Sequence, residues 1–401
     1  MKDGALAAIE AGARLDGAMD AMGLHQRRSV GNMIACRSGA LGAQVKRCRD
    51  CDRRSCIPHS CRNRSCPRCQ AAASLQWLES QRASLLDTRY FHNVFTLPHC
   101  LNQVVRQNRS ACLPLLFRCV QQTLATFARS KLKASVGVTA VLHTWGQTLC
   151  EHYHLHCIVT GGGVSLDGLR WVDAPRSGLF NVKALSLVYR GKFLSGLAGL
   201  HRSGKLQFHA KAAGLADPAA FQLLLEDAAR RRWVVYSKEP FAGPEQVLKY
   251  LSLYTHRVGI SDSRILEVDE EKGQVRFAYK DYAQQGRRKT MRLAPGEFLR
   301  RFCLHILPAR FVKIRHSGIL GNRGRAGKVE QARLLIERVR PKAEPRTPPE
   351  PEPAKPAADG SDRSEEPCCP HCGSAALEDL EPMRRGACPF RQVVYRVPDT
   401  G

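Results

Sequence analysis

Long apolar runs are missing from this 401-residue chain. None approaches the roughly 20 residues that a membrane-spanning helix needs. The opening MKDGALAAIEAGARL lacks the continuous apolar core of a signal peptide, so a cytoplasmic location is the expectation. Acidic side chains are also scarce: 36 Asp and Glu face 62 Lys and Arg, a formal net charge of +26. Such a surplus repels itself in a folded protein, exceeds what solubility requires, and implies a polyanionic partner. Basic residues are scattered through every segment rather than gathered on one amphipathic helix. That favours nucleic acid over an anionic membrane surface. Two common chemical signatures are absent as well. There is no HExxH zinc motif, and Gly161–Gly163 lack the Lys-Ser/Thr of a Walker phosphate loop. The apolar fraction is an ordinary 43%, so the chain is globular, with length enough for two or three compact units.

Cysteine, by contrast, is plentiful. Seventeen in a cytosolic chain argue for metal binding over a disulfide framework. Six fall between Cys48 and Cys69 and three between Cys368 and Cys372; the other eight read as small core residues or free thiols. CRDC and CPRC form two C-x2-C knuckles whose thiols, Cys48, Cys51, Cys66 and Cys69, can complete a tetrahedral Zn²⁺ site. Cys56, His59 and Cys61 lie between them and leave room for a second or alternative site. A module this short has little core, so the metal would supply most of its folding energy. Arg62, Arg64 and Arg68 interleave with the thiols and offer DNA contacts as an alternative to a purely structural role. The C-terminal CCPHCG is a single knuckle with Cys388 as its nearest further thiol, a weaker hint of a second site.

Periodicity predicts an α+β fold. An amphipathic N-terminal arm (1–35) precedes the zinc module (36–75), and ASLQWLESQRASLLD carries a helical stripe. YFHNVFTLPH reads as a strand stopped by Pro98, followed by a helix from about Ser110 to Leu132. VGVTAVLHTWGQTL and HYHLHCIVT are paired antiparallel about a turn near Cys150–Glu151. Asp217-Pro218 and Gly243-Pro244 open helices. RWVVYS, RILEVD and QVRFAYKDY are strands, and a helix begins near Pro295. The mixture, with its antiparallel hairpin, defines one α+β domain over 86–330. Residues 341–367 are proline-rich and almost free of apolar groups, which predicts a disordered linker. A short Cys-containing tail (368–401) follows.

CEHYHLHCIVTGGG supplies the chemistry. His152, His154 and His156 alternate, so on a strand all three imidazoles leave one face. About the expected turn, Gln147 falls opposite His154. Two imidazoles and an amide oxygen would leave positions open for water and phosphate oxygens, suiting Mg²⁺ or Mn²⁺ as a Lewis acid on a phosphodiester. The alternatives are incidental strand histidines or a zinc hydrolase site. In KYLSLYTHR, Tyr250 and Tyr254 stand at i and i+4 on one helix face. They either pack on the core or attack phosphorus. A phenol with a pKa near about 10 needs an activated acceptor, which a nearby metal provides. A phosphotyrosine would conserve the energy of the broken phosphodiester, so strand joining would need no ATP.

HLHCIVTGGG, WGQTL, GPEQVLKYLSLYTHRVGIS, SCRNRSCPRCQ and LPARFVKIRHSGILGNR occur in the order and spacing of bacterial rolling-circle transposases. The chain resembles the insertion sequence 91 family, two-tyrosine members of the HUH (His-hydrophobe-His) endonucleases, over about residues 36–325. The resemblance implies a transposase zinc-binding domain with Cys48, Cys51, Cys66 and Cys69 as ligands. It also implies a catalytic domain on a central antiparallel sheet flanked by helices. His154 and His156 would bind the divalent cation around Leu155, with Gln147 added from hairpin geometry. Tyr250 and Tyr254 would be the nucleophiles, acting on single-stranded DNA at element ends through a 5′-phosphotyrosine. Arg62, Arg64, Arg257, Lys313, Arg315, Arg323 and Arg325 would follow the DNA backbone, and the protein would work at the bacterial nucleoid. Ser65 departs from the family, which usually has His there, and the proline-rich tail lies outside the shared pattern. A plasmid replication initiator or relaxase with the same chemistry, and a non-catalytic zinc-dependent DNA-binding regulator, are the rival readings.

Overall fold

Side-chain alternation in the strand that carries the histidines organises the larger part of the molecule. In a computed structural model, which describes residues 4–175, 178–241, 247, 258–340 and 368–385, that segment is the strand Glu151–Ser165. The chain divides into two compact units: Met1–Ala21 with Gln70–Pro341, and Met22–Cys69 with Lys342–Gly401. The expected linker at 341–367 lies outside the described residues, as do Tyr250, Tyr254, Arg257 and Cys388.

Twelve strands are described: β1 (Ala43–Cys48), β2 (Arg54–Pro58), β3 (Tyr90–Thr96), β4 (Ala134–Trp145), β5 (Glu151–Ser165), β6 (Trp171–Asp173), β7 (Val235–Phe241), β8 (Ile265–Asp269), β9 (Gln274–Asp281), β10 (Arg287–Leu293), β11 (Ile314–Gly318) and β12 (Leu377–Asp379). The larger unit is built on a six-stranded antiparallel sheet in the order β11-β4-β5-β3-β7, with β6 paired to β5. Its second sheet runs β10-β9-β8. The fold is α+β, as its periodicities predict.

One face of the central sheet is apolar because alternate residues of its strands are. Tyr153, Leu155, Cys157 and Val159 of β5 are buried with Phe91 and Phe95 of β3 and Leu142 of β4. Against them pack two helices, Arg109–Phe127 and Val182–Arg202, through residues such as Leu116, Val120, Tyr189 and Phe193. Burying such a set, at roughly 25 cal/mol per Å² of apolar surface, drives the folding of this layer. The helix from Asp217-Pro218 forms as expected over Pro218–Arg230, with the Asp217 carboxylate accepting from Ala220 N–H at 2.8 Å. Strands β10 and β11 and the helices Val182–Arg202 and Arg325–Val339 escape the periodicity reading.

The glycine run ending β5 has a packing cause. A Cβ on Gly163 would collide with the Ser135 carbonyl oxygen, and one on Gly162 would stand 2.7 Å from the Trp171 ring. Neighbouring backbone and a stacked indole approach too closely for any side chain, which is the usual meaning of glycine inside a strand. The ordered N-terminal helix, Ala5–Ala13, exploits small residues too. Its Ala5, Leu6, Ala8 and Ile9 are buried, and Gly12 lies against the backbone of Pro295. The region expected as one arm over 1–35 is therefore divided, since residues from Met22 onward belong to the smaller unit.

In that smaller unit β1 and β2 form a hairpin, and β12 adds to the outer edge of β1 through Lys46↔Asp379 and Cys48↔Leu377. The sheet order is β12-β1-β2. Residues 368–385, expected as a separate tail, are thus integral to the zinc module. Leu380 and Met383 pack on Ala43, Val45 and Cys56.

Where β5 begins, a buried charge is fully engaged. Glu151 has a side chain only 4% exposed and faces Arg106 and Arg109, while Tyr153 Oη donates to it at 2.7 Å. Removing one partner from such a group strands the others. Glu151→Ala is expected to lower the free energy of unfolding by about 3–5 kcal/mol in urea denaturation. A loss below about 1 kcal/mol, the level of an exposed pair, would contradict this anchoring.

Candidate metal and DNA-processing site

On the face of β5 opposite the apolar layer, His152, His154 and His156 are half-buried side by side, as the alternation requires. His154 Nε2 and His156 Nε2 lie 3.1 Å apart. Their other ring nitrogens are held from behind: His154 Nδ1 meets the His152 carbonyl at 2.9 Å, and His156 Nδ1 meets His92 Nε2 at 2.9 Å. His92 comes from β3 and stacks on His156 with ring planes 4° apart. Fixing Nδ1 this way leaves both Nε2 atoms for a cation, the arrangement in which metal-binding imidazoles are usually held.

The third group at this point is an imidazole, His143 of β4, rather than the amide of Gln147. Ligand atoms of His143, His154 and His156 all lie within 4.8 Å of one another. The His143 ring centroid is 5.3 Å from that of His154 and 4.5 Å from that of His156. This corrects the expectation for Gln147, and its cause is the position of the turn. β4 ends at Trp145 and β5 starts at Glu151, with Gly146 N–H bonded to the Cys150 carbonyl at 2.9 Å. A turn centred near Cys150–Glu151 would set Gln147 opposite His154. Centred two residues earlier, it pairs His143 with His154 and puts Gln147 in the turn itself. There Gln147 Oε1 accepts from Lys280 N–H at 3.4 Å, and its carbonyl accepts from Arg264.

Burial keeps His152 and His154 uncharged. Desolvation pushes His154 down to about 3 and His152 down to about 4, so both are neutral, with a lone pair to give, at physiological pH. At the edge of the cluster Trp145 stacks on His143 at 4.6 Å, and Lys313 Nζ stands 5.3 Å over the indole. His99 Nε2 contacts His152 Nδ1 at 3.0 Å, and this pair lines a cleft with Arg231 and Arg232. Of the basic residues expected on DNA, Lys313 therefore adjoins the histidines. Arg315 does not: it lies on the face covered by the helix Arg109–Phe127, over Phe117 at 4.3 Å, where burial lowers its pKa. Arg323 and Arg62 are exposed, Arg64 is half-buried, and Arg325 donates to Gln81 at 2.8 Å.

The cysteines assemble differently from the two-knuckle expectation. Cys48 and Cys51 are not grouped with Cys66 and Cys69. Instead Cys36, Cys61, Cys66 and Cys69 form one four-thiol cluster, and Cys48 and Cys51 join Cys369 and Cys372 in another. The reason is local geometry: CPRC starts a helix, Pro67–Arg82, whereas CRDC forms a tight turn after β1. Cys36, read as isolated, has its Sγ 3.6 Å from that of Cys69. Hydrogen bonds from Cys61 and then Cys66 draw the Cys36 thiol down to about 2, while facing Cys36 pushes Cys61 up to about 12 and Cys66 up as well, so the thiolate settles on Cys36. Ser65 lies outside both clusters, and its N–H is bound by Asn63 Oδ1 at 2.8 Å. The missing family histidine therefore leaves a complete set of four thiols.

A cysteine module that could hold metal precedes an antiparallel sheet bearing clustered imidazoles, and comparison with known proteins places the chain among nucleic-acid-processing enzymes. A family model described as "Transposase zinc-binding domain" matches residues 10–97, and one described as "Putative transposase" matches 137–327. "Putative transposase y4qJ" of Sinorhizobium fredii is 46% identical over 313 residues, 78% of each chain. "Transposase for insertion sequence element IS801" of Pseudomonas savastanoi pv. phaseolicola is 29% identical over 297 residues, covering 74% of this chain and 70% of the relative. The chain belongs to the insertion sequence 91 family of transposases, and DNA is its partner. Among the described residues no helix is long and apolar enough to cross a membrane.

The turn position makes a direct prediction. His143→Ala is expected to weaken Mn²⁺ binding, followed by isothermal titration, by at least the about 10–100-fold that loss of a supporting contact costs. Gln147→Ala is expected to leave binding unchanged. Equal losses in the two variants would return the amide to the site.

Proposed function

We propose that this transposase nicks and rejoins single-stranded DNA through a 5′-phosphotyrosine, in rolling-circle-type transposition. One observation carries the reading: three imidazoles, His143, His154 and His156, converge on one face of the sheet, with His154 and His156 held through Nδ1 from behind. Mg²⁺ or Mn²⁺ held there would withdraw charge from the non-bridging oxygens of a phosphodiester. Three nitrogen ligands favour Mn²⁺ over Mg²⁺, which prefers oxygen donors.

The nucleophiles in this reading are Tyr250 and Tyr254, outside the described residues. Support for them comes from Val247, which is buried against Tyr90 and Ile158. Ile158 follows His156 by two residues and shares its face of the sheet. The helix expected from Gly243-Pro244 would carry Tyr250 and Tyr254 three and seven positions after Val247, on the same helical face. One phenol oxygen would form a bond to phosphorus as the bond to the 3′-oxygen breaks, leaving a free 3′-OH. The second could accept another strand before the first is released. Lys313 and Trp145, beside His143, suit a backbone phosphate and a stacked base. Cys36, Cys61, Cys66 and Cys69 would hold a structural Zn²⁺ that supplies the small unit's missing core. The reaction belongs in the bacterial cytoplasm, at the nucleoid, where such a substrate lies.

The test is incubation with single-stranded element-end DNA and Mn²⁺, followed by denaturing electrophoresis. Tyr250→Phe/Tyr254→Phe is expected to abolish a denaturation-resistant protein–DNA conjugate and to retain DNA binding. A conjugate surviving in the double variant would overturn the assignment.

A further inference from the structure

The second thiol cluster has two members that the zinc-binding match over residues 10–97 does not reach. We propose that Cys48, Cys51, Cys369 and Cys372 bind a second Zn²⁺, one that staples the C-terminal segment to the N-terminal zinc module.

The distances suit a metal. Cys48 and Cys372 Sγ are 3.6 Å apart, as are Cys51 and Cys369 Sγ. A disulfide would require about 2.05 Å. A tetrahedron with Zn–S bonds of about 2.3 Å has edges of about 3.8 Å, close to both spacings.

The backbone gives a second, independent argument, because the two halves of the site are the same turn built twice. In the first, Asp52 N–H bonds the Cys48 carbonyl and Cys48 N–H bonds the Arg53 carbonyl, both at 2.9 Å. In the second, Gly373 N–H bonds the Cys369 carbonyl at 2.9 Å and Cys369 N–H bonds the Ser374 carbonyl at 2.7 Å. The residue after each second cysteine is left-handed, with φ of 59° at Asp52 and 76° at Gly373. Glycine takes that conformation freely, while at Asp52 it is held in a residue type that tolerates it better than most. Turns of this shape aim two sulfurs at one point, and here two of them face each other. Cys66 and Cys69 do not form that turn, because the backbone from Pro67 onward is helical.

The surroundings are built to hold the second half in place. Beyond the thiols, β12 pairs with β1, Arg49 N–H bonds the Ala376 carbonyl at 2.9 Å, and Lys46 contacts Asp379 at 3.0 Å. The cysteine pairs are 318 and 324 residues apart in sequence. A metal clip that closes so long a loop removes much freedom from the unfolded chain.

The experiment counts zinc in the full-length protein by mass spectrometry of dialysed samples. The expected content is two ions per chain. It should fall to one in Cys369→Ser/Cys372→Ser, to one in Cys48→Ser/Cys51→Ser, and remain one when the two pairs are combined, since both pairs serve the same ion. Exposed Cys368, outside the cluster, gives a control, with Cys368→Ser keeping two. In case a variant fails to fold, the unmodified protein is alkylated with and without Zn²⁺. Cys48, Cys51, Cys369 and Cys372 should become protected together at the second equivalent. One zinc in the full-length protein, two retained without Cys369 and Cys372, or Cys369 alkylated while Cys48 is protected would each overturn the proposal. None of these readouts depends on the tyrosine chemistry.

Discussion

The register of one β-hairpin governs the site. Because β4 ends at Trp145 and β5 begins at Glu151, His143 faces His154, and the whole row of imidazoles meets its partner strand in phase. A shift of one residue would send either histidine set to the opposite face, into the layer occupied by the helices Arg109–Phe127 and Val182–Arg202. Two features hold the register. At the turn end, buried Glu151 is gripped by Arg106, Arg109 and Tyr153. At the far end, the close approach of Gly163 to Ser135 admits no side chain. The cluster is therefore positioned by contacts at both ends of the hairpin as well as by its own hydrogen bonds.

How much of this was legible in the sequence depends on how local each signal is. Strand β5 and the shared face of its histidines follow from alternation alone, and Asp217-Pro218 marks its helix by local capping chemistry. The pairing between β4 and β5 is less local. It rests on where a five-residue turn is centred, and placing that centre two residues late promoted Gln147 over His143. His143 was legible in principle, since it alternates with Val141 and Trp145 in VLHTWG, but only with the correct centre. His92 was harder to find: it reaches His156 from β3, more than sixty positions away, and nothing in its own neighbourhood signals a role.

The thiols make the same point more sharply. Spacing identifies knuckles but cannot identify their mates, and proximity in sequence wrongly favoured CPRC as the partner of CRDC. What decides the pairing is backbone conformation. CRDC and CPHC make the same turn, while CPRC, despite sharing a proline with CPHC, lies at the start of the helix Pro67–Arg82. Cys36 gave no sequence signal beyond its nearness to the module. The net charge of +26 pointed correctly to DNA, yet charge alone could not sort Lys313, beside the indole next to His143, from Arg315, turned toward Phe117 on the other side of the sheet.

Strand β12 leaves the small sheet incomplete until long after β1 has been made. Its partner β1 emerges early from a ribosome, but Leu377–Asp379 follows only after more than three hundred further residues have been made. Since domains tend to fold as units during synthesis, the larger unit has every residue it needs before the smaller one does. A chain that stopped short of Leu377 would therefore have a finished central sheet and an open-edged zinc module, so the earlier-made strands of the small sheet depend on a segment made much later.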